Sequence, residues 1–183
     1  MRKEKGMQTM SEDLVPRTRF IEAMRGVAAS VTVVTTDGIA GRHGATVSAF
    51  SSVSADPPTV LVCLHADSRI ARAVTSNGRF CVNVLPETSA EIADRFAGRH
   101  DGWIADRFSG IDCHGKPGSS PLIDGATGFS CRAQQSVRSG THLIVIGHVG
   151  DVIEGGAKPL AWREGSYHRV VPQAMGAAGH AAG

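Results

Sequence analysis

The chain lacks any apolar run approaching the roughly 20 residues that a membrane-crossing helix needs. Its first residues, MRKEK, are charged, with no apolar core of the kind a secretion signal carries. An excess of one charge is missing too: 19 Lys and Arg stand against 17 Asp and Glu, a net +2. Beyond the MRKEK start there is no polybasic run, which argues against nucleic acid or a membrane surface as partner. Cysteine is scarce. Cys63, Cys81, Cys113 and Cys131 form no C-x-x-C, and two lie in apolar strand-like runs, so buried free thiols in a reducing compartment are expected. No two of the eight histidines stand at H-x-x-x-H spacing, and Cys113-His114 is adjacent rather than chelating, which argues against zinc. A G-x-G-x-x-G or Walker-type phosphate loop is absent, as is a G-x-S-x-G nucleophile elbow. A cytoplasmic protein without metal is the expectation.

What is present fits one domain. At 183 residues, with 42% hydrophobic and 20% charged, the chain is long enough for one core and short for two. Residues 1–16 read as a flexible leader, 17–170 as the folded domain and 171–183 as a disordered tail. Phe20, Ile21, Met24 and Val27 have helical spacing within 17–28. Strands are predicted at 30–36, 59–64, 79–85 and across 129–152, the last region broken by a turn at Ser139-Gly140. A helix opens after Ser68 and stops at Asn77-Gly78, and another spans 89–98. Strands outnumber helices and regular β-α-β alternation is missing. The pattern predicts a mainly β protein, an antiparallel barrel with short helices packed outside.

The stretch GATVSAFSSVSADPP, 44–58, departs from ordinary strand chemistry. Thr46, Ser48, Ser52 and Ser54 fall on one side of a strand, with Phe50 among them. Small or β-branched Ala45, Val47, Ala49, Val53 and Ala55 fall mostly on the other. Such hydroxyls suit a flat heteroaromatic ligand with a polar edge, and small residues admit backbone N–H groups to it. A sheet face open to water would also tolerate them. Ser68-Arg69, at a predicted helix start, offers free N–H groups, a hydroxyl and a guanidinium to a phosphate, with Arg95 as added charge. The same residues would serve as a plain cap and a solvated cation. His142 begins a strand after a turn, a position that often just meets solvent.

In order, ASVTVVTT, GATVSAFSSVSADPPTVLVCL, SRIARAVTSNGRFCVNVL, IADRFAG, RFSGID, PLIDGA, SGTHLIVIGHV and PLAWREGSY resemble the flavin reductase-like family, small reductase components of two-component flavin monooxygenases. The resemblance runs from about Arg17 to Tyr167. It implies an FMN-binding type split β-barrel, a homodimer, FMN or FAD as cofactor, NADH or NADPH as hydride donor, and a partner monooxygenase that receives reduced flavin. It places Thr46, Val47 and Ser48 at the isoalloxazine edge and Ser52, Val53 and Ser54 beside the ring and ribityl chain. Cys63 and Leu64 would flank the flavin, Ser68 and Arg69 hold phosphate, and Arg95 and Phe96 complete the site. His142, as the catalytic positioning group, and Tyr167 would lie near the nicotinamide. Thr141 stands where the family usually has Asp. Two other readings stay open: a reductase of another acceptor on this fold, such as a corrin or metal centre, and a flavin- or haem-binding module without turnover.

Overall fold

Polar and glycine-rich turns divide this chain into short elements. In the computed structural model, residues 14–116 and 118–173 are described. The expected leader at 1–16 and tail at 171–183 lie mostly outside the described residues. The chain opens with α1 (Arg17–Arg25), β1 (Ala29–Ser30), β2 (Thr32–Thr36), β3 (His43–Val47), β4 (Phe50–Ala55) and β5 (Pro58–His65). It continues through α2 (Arg69–Asn77), β6 (Arg79–Val84), α3 (Ala90–Phe96), β7 (Cys113–His114) and β8 (Leu122–Ile123). A long ribbon of β9 (Thr127–Ser139) and β10 (His142–Ile153) follows, then β11 (Leu160–Arg163) and β12 (Ser166–Arg169).

Local chemistry explains the boundaries. Ser68 Oγ accepts the Ala71 N–H at 3.2 Å, capping α2. Gly78 takes the left-handed conformation (φ 67°) that closes it, its N–H reaching the Val74 carbonyl. The ribbon turns at Gly140-Thr141, one residue later than the sequence pattern suggests, because Ser139 is still paired with His142.

Seven strands pair antiparallel in the order β3-β2-β6-β9-β10-β5-β4. The two edge strands, β3 and β4, are separated in sequence only by Ser48-Ala49. A flat sheet would hold them six strand spacings apart, so the sheet must roll until its edges meet. The Ala49 carbonyl accepts the Cys63 N–H at 3.0 Å, carrying the β4–β5 ladder up to the kink, and β3 comes into contact with β5 across the closing edge. The result is mainly β, split-barrel-like rather than closed. The single strand expected over 44–55 is therefore two strands on opposite edges, with a kink where the roll demands it.

α2 packs against β2, β3, β5, β6 and β9, stopping one end of the roll. Val34, Val62, Leu64, Ile70, Val74, Phe80 and Val145 fill the interior. A second cluster on the outer face joins Val33, Leu85, Phe96, Phe108 and Ile123 under α3 and the loop after it. A short sheet, β1-β11-β12, flanks that cluster. All four cysteines are free. Burial, then the neighbouring Cys131, pushes the Cys81 thiol up to about 12, and burial does the same for Cys131. Neither is a thiolate at neutral pH.

One buried side chain ties the two layers together. Asn83, fully buried on β6, donates to the Val33 carbonyl (3.0 Å) and Thr35 Oγ1 (3.1 Å), and its Oδ1 accepts the Ile123 N–H (2.8 Å). Replacing Asn83 with Ala leaves buried polar groups without partners. The expected loss is about 2–4 kcal/mol of folding free energy, read from the urea midpoint. A loss under about 0.5 kcal/mol would show that the amide is not the tie.

Candidate functional site

β3 has a partner on one side only, so alternate N–H and C=O groups face outward along its free edge. Thr46 Oγ1 donates to the Ala93 carbonyl at 2.6 Å, which seats β3 on α3 and commits that hydroxyl's proton. Val47 packs toward the barrel interior, and its carbonyl accepts from Thr32 Oγ1 at 2.7 Å. Ser48 is exposed at the kink. With Thr46 and Val47 it lines a recess of about 170 Å3 whose other wall is Arg99, Trp162 and Tyr167.

Tyr167 is held firmly there. Its hydroxyl donates to Asp94 Oδ1 at 2.6 Å, its ring meets Trp162 edge-on at 4.9 Å, and Asp94 is also 3.3 Å from Arg99 Nε. Partial burial, then the Asp94 carboxylate, pushes the phenol up to about 12. The structure thus brings the Thr46–Ser48 edge and Tyr167 into one recess.

A larger cleft of about 540 Å3 lies beside it, lined by Arg42, Gly44, Ser68, Arg69, Ile70 and Arg107 among others. Helix geometry leaves the Arg69 and Ile70 N–H groups without intrahelical acceptors, so the start of α2 faces this cleft electropositive. Ser68 Oγ also donates to the His65 carbonyl at 2.6 Å, so the cap is itself anchored. Arg107 is a structural pin. It holds Asp101 through two bonds (2.8 and 2.6 Å) and reaches the carbonyls of Phe96 (2.9 Å) and Gly44 (3.3 Å). That hydrogen bond keeps the Asp101 carboxyl below its usual range and raises Arg107. Arg42 pairs with Asp106 at 3.1 Å and lies over the Phe108 ring. Arg69 has no carboxylate partner among the described residues. It is the cleft's uncompensated charge.

The other expected residues fall elsewhere. Arg95 bonds the Ser109 carbonyl and lines a separate cavity of about 300 Å3 with Glu91 and Asp124. The Phe96 ring is fully buried under Gly44, where an added Cβ would stand 2.5 Å from it. Leu64 points into the barrel interior, while Cys63 on the opposite face is partly exposed. Ser52, Val53 and Ser54 belong to β4. A bulge leaves Val53 without a register partner, and Ser54 Oγ closes its own turn on Asp56. His142 stands at the ribbon tip, exposed, with Nδ1 3.0 Å from Thr141 Oγ1 and its ring 5.8 Å from that of His65. Thr141, which stands where the resemblance expects Asp, thus sets its hydroxyl against the imidazole. Sequence reasoning missed Arg42, Arg107, Asp94 and Trp162, since only the fold brings these distant residues to the walls.

Residues 24–170 match the model of the flavin reductase like domain. The chain belongs to the flavin reductase-like family. It is 38% identical over 158 residues to the FMN reductase (NADH) RutF of Ancylobacter novellus, across 85% of this chain and 86% of that one. The NADH:FAD oxidoreductase SgcE6 of Streptomyces globisporus C-1027, solved with NAD and FAD fragments, superposes with a TM-score of 0.78. It is 28% identical, over 89% of this chain and 99% of that one. The styrene monooxygenase flavin reductase of Pseudomonas putida S12 superposes at 0.74 with 28% identity, over 84% and 99%.

Tyr167 is the only tyrosine in the sequence, so its ionisation can be followed alone at 295 nm. The absorbance midpoint is expected near 12. Asp94→Asn removes the carboxylate's share and lowers the midpoint while leaving the burial share in place. The folded pKa lies above the unfolded value of about 10, so this contact stabilises the fold below that pH. The contribution disappears as pH rises through the folded value. An unmoved midpoint in the Asn variant would rule out Asp94 as a cause.

Proposed function

We propose that this chain is the reductase component of a two-component flavin monooxygenase system, working as a cytoplasmic homodimer. It is a flavin oxidoreductase that uses NADH to reduce FMN or FAD and delivers the reduced flavin to a separate oxygenase. The observation that carries this reading is the free β3 edge at Thr46–Ser48, adjoining a cleft whose uncompensated charge is Arg69 at a helix start. That donor set fits a flat ligand with a polar edge and an anionic tail.

Flavin supplies the electron-accepting ring when bound; the chain supplies position and field. Outward N–H groups of β3 and the Ser48 hydroxyl provide hydrogen bonds for ring carbonyls and nitrogens, where charge accumulates on reduction. Arg69 and the free first N–H groups of α2 hold phosphate, with Ser68 fixing the helix start through its bonds to His65 and Ala71. His142, aligned by Thr141, and Tyr167, aligned by Asp94, position the nicotinamide. Neither has to move a proton for hydride transfer. Homodimerisation is supported by an uncovered apolar band on the sheet's outer face, where Val137, Ile144 and Cys63 stand in register beside Ile146 and Leu61. The exposed Phe20 and Met24 of α1 add to the apolar surface.

NADH oxidation by the purified protein should scale with added free FMN or FAD. Bleaching of bound flavin without free-flavin turnover would instead indicate a dedicated acceptor, and resistance to bleaching a binding module. His142→Ala should lower kcat/KM for NADH by about tenfold or more, with the Kd for FMN unchanged. A change within about twofold would remove His142 from the nicotinamide site.

A further inference from the structure

His65 and His142 lie far apart in sequence, where no helical ligand spacing reveals them, yet strand pairing sets them directly opposite one another on β5 and β10. Just beyond them the Ala66 N–H donates to the Thr141 carbonyl at 2.9 Å. That bond makes 65–142 a non-hydrogen-bonded pair, the type whose side chains stand closest. Their neighbours Leu64 and Leu143 point into the barrel, so both imidazoles are on the outer face, and both are exposed. The ring centroids are 5.8 Å apart, with the planes at 68°.

That separation has a chemical meaning. An imidazole nitrogen binds a divalent transition metal at about 2.0–2.1 Å, so two rings on one ion have centroids about 5.2 Å apart at a tetrahedral angle and about 6.4 Å apart when linear. The pair falls within this range as it stands. His142 is also oriented for such a role. Its Nδ1 is 3.0 Å from Thr141 Oγ1, and with Nδ1–H donating there, Nε2 keeps its lone pair for a ligand.

The backbones beneath the two rings are fixed. The His65 carbonyl accepts the Ser68 N–H (3.0 Å) and Ser68 Oγ (2.6 Å), tying the end of β5 to the α2 cap. Arg138 stands opposite Leu143, on the other face of the ribbon, and is matched there by Asp67 at 3.7 Å. Among the described residues no third His, Cys, Asp or Glu completes a ligand set. Water then fills the remaining positions, which suits a reversible site rather than a structural one. Imidazole ligands favour Cu2+, Ni2+ and Zn2+ over Mg2+ and Ca2+.

We infer that His65 and His142 form a two-histidine site for a divalent transition-metal ion, and that the bound ion withdraws His142 from the nicotinamide. Metal capture needs only the geometry of the pair. Its effect on turnover rests on the reading of His142 as the group that positions the nicotinamide.

Calorimetry with Ni2+ on the full chain is compared with His65→Gln and His114→Gln, the second removing an imidazole from a different exposed pair, with Asp124. Ni2+ affinity should fall at least about tenfold in His65→Gln and stay within about twofold in His114→Gln. At about ten times its Kd, Ni2+ should raise the apparent KM for NADH about tenfold with kcat unchanged, and His65→Gln should lose that rise. No saturable Ni2+ binding below about 1 mM, or binding untouched by His65→Gln, overturns the inference. Binding that is lost in His65→Gln but never moves KM would keep the metal site, and would overturn its link to turnover together with the reading of His142.

Discussion

The two-residue passage from β3 to β4 governs this molecule. Hydrogen bonding places those strands at opposite ends of a seven-stranded order, and the covalent chain allows them only Ser48-Ala49 between. Both conditions hold only if the sheet rolls, and the roll needs small residues where the edges meet. The same passage leaves an edge of unpaired backbone donors in a place shielded by α3, Trp162 and Tyr167. The sheet's closure and its polar edge are thus one feature. The hydroxyl-rich composition of 44–55 follows from both.

Charge in the clefts is distributed with a purpose. Arg42 and Arg107 are each matched by a carboxylate and serve to hold the loop from Gly98 to Phe108 against the barrel. Arg69 is left unmatched on the helix that stops the barrel. An anion arriving there meets one net positive charge and oriented N–H groups rather than a diffuse basic surface, which agrees with the near-neutral balance of the whole chain.

Much of this was legible in the residues. Ser68 and Gly78 mark α2 because capping chemistry is local, and the continuous apolar runs TVLVCL and LIVIG mark β5 and β10, although which face of each is buried shows only in the fold. The mainly β class followed from the same patterns. The kink at Ser48-Ala49 and the bulge at Val53 were not visible, since both answer to pairing partners far along the chain. For the same reason nothing local in the 98–120 segment announces that Arg107 bonds Asp101, Phe96 and Gly44 from it. The family resemblance named the Thr46–Ser48 edge and Tyr167 separately, and it is the fold that puts them on one recess. It did not reveal that Arg95 faces a different cavity, because helix phase at α3 depends on what packs beneath it.

Gly44 joins binding to folding in an uncommon way. Its missing side chain is what lets Phe96 rise beneath the cleft, so the floor seen by a ligand is also the roof of the outer apolar cluster. Natural variation or engineering therefore cannot deepen or fill the cleft from below without disturbing the packing of two aromatic rings. Selectivity among ligands has to be written on the rim instead, at loop positions such as Ile104 and Ala105, whose side chains can change while Asp106 and Arg107 keep the loop on the barrel.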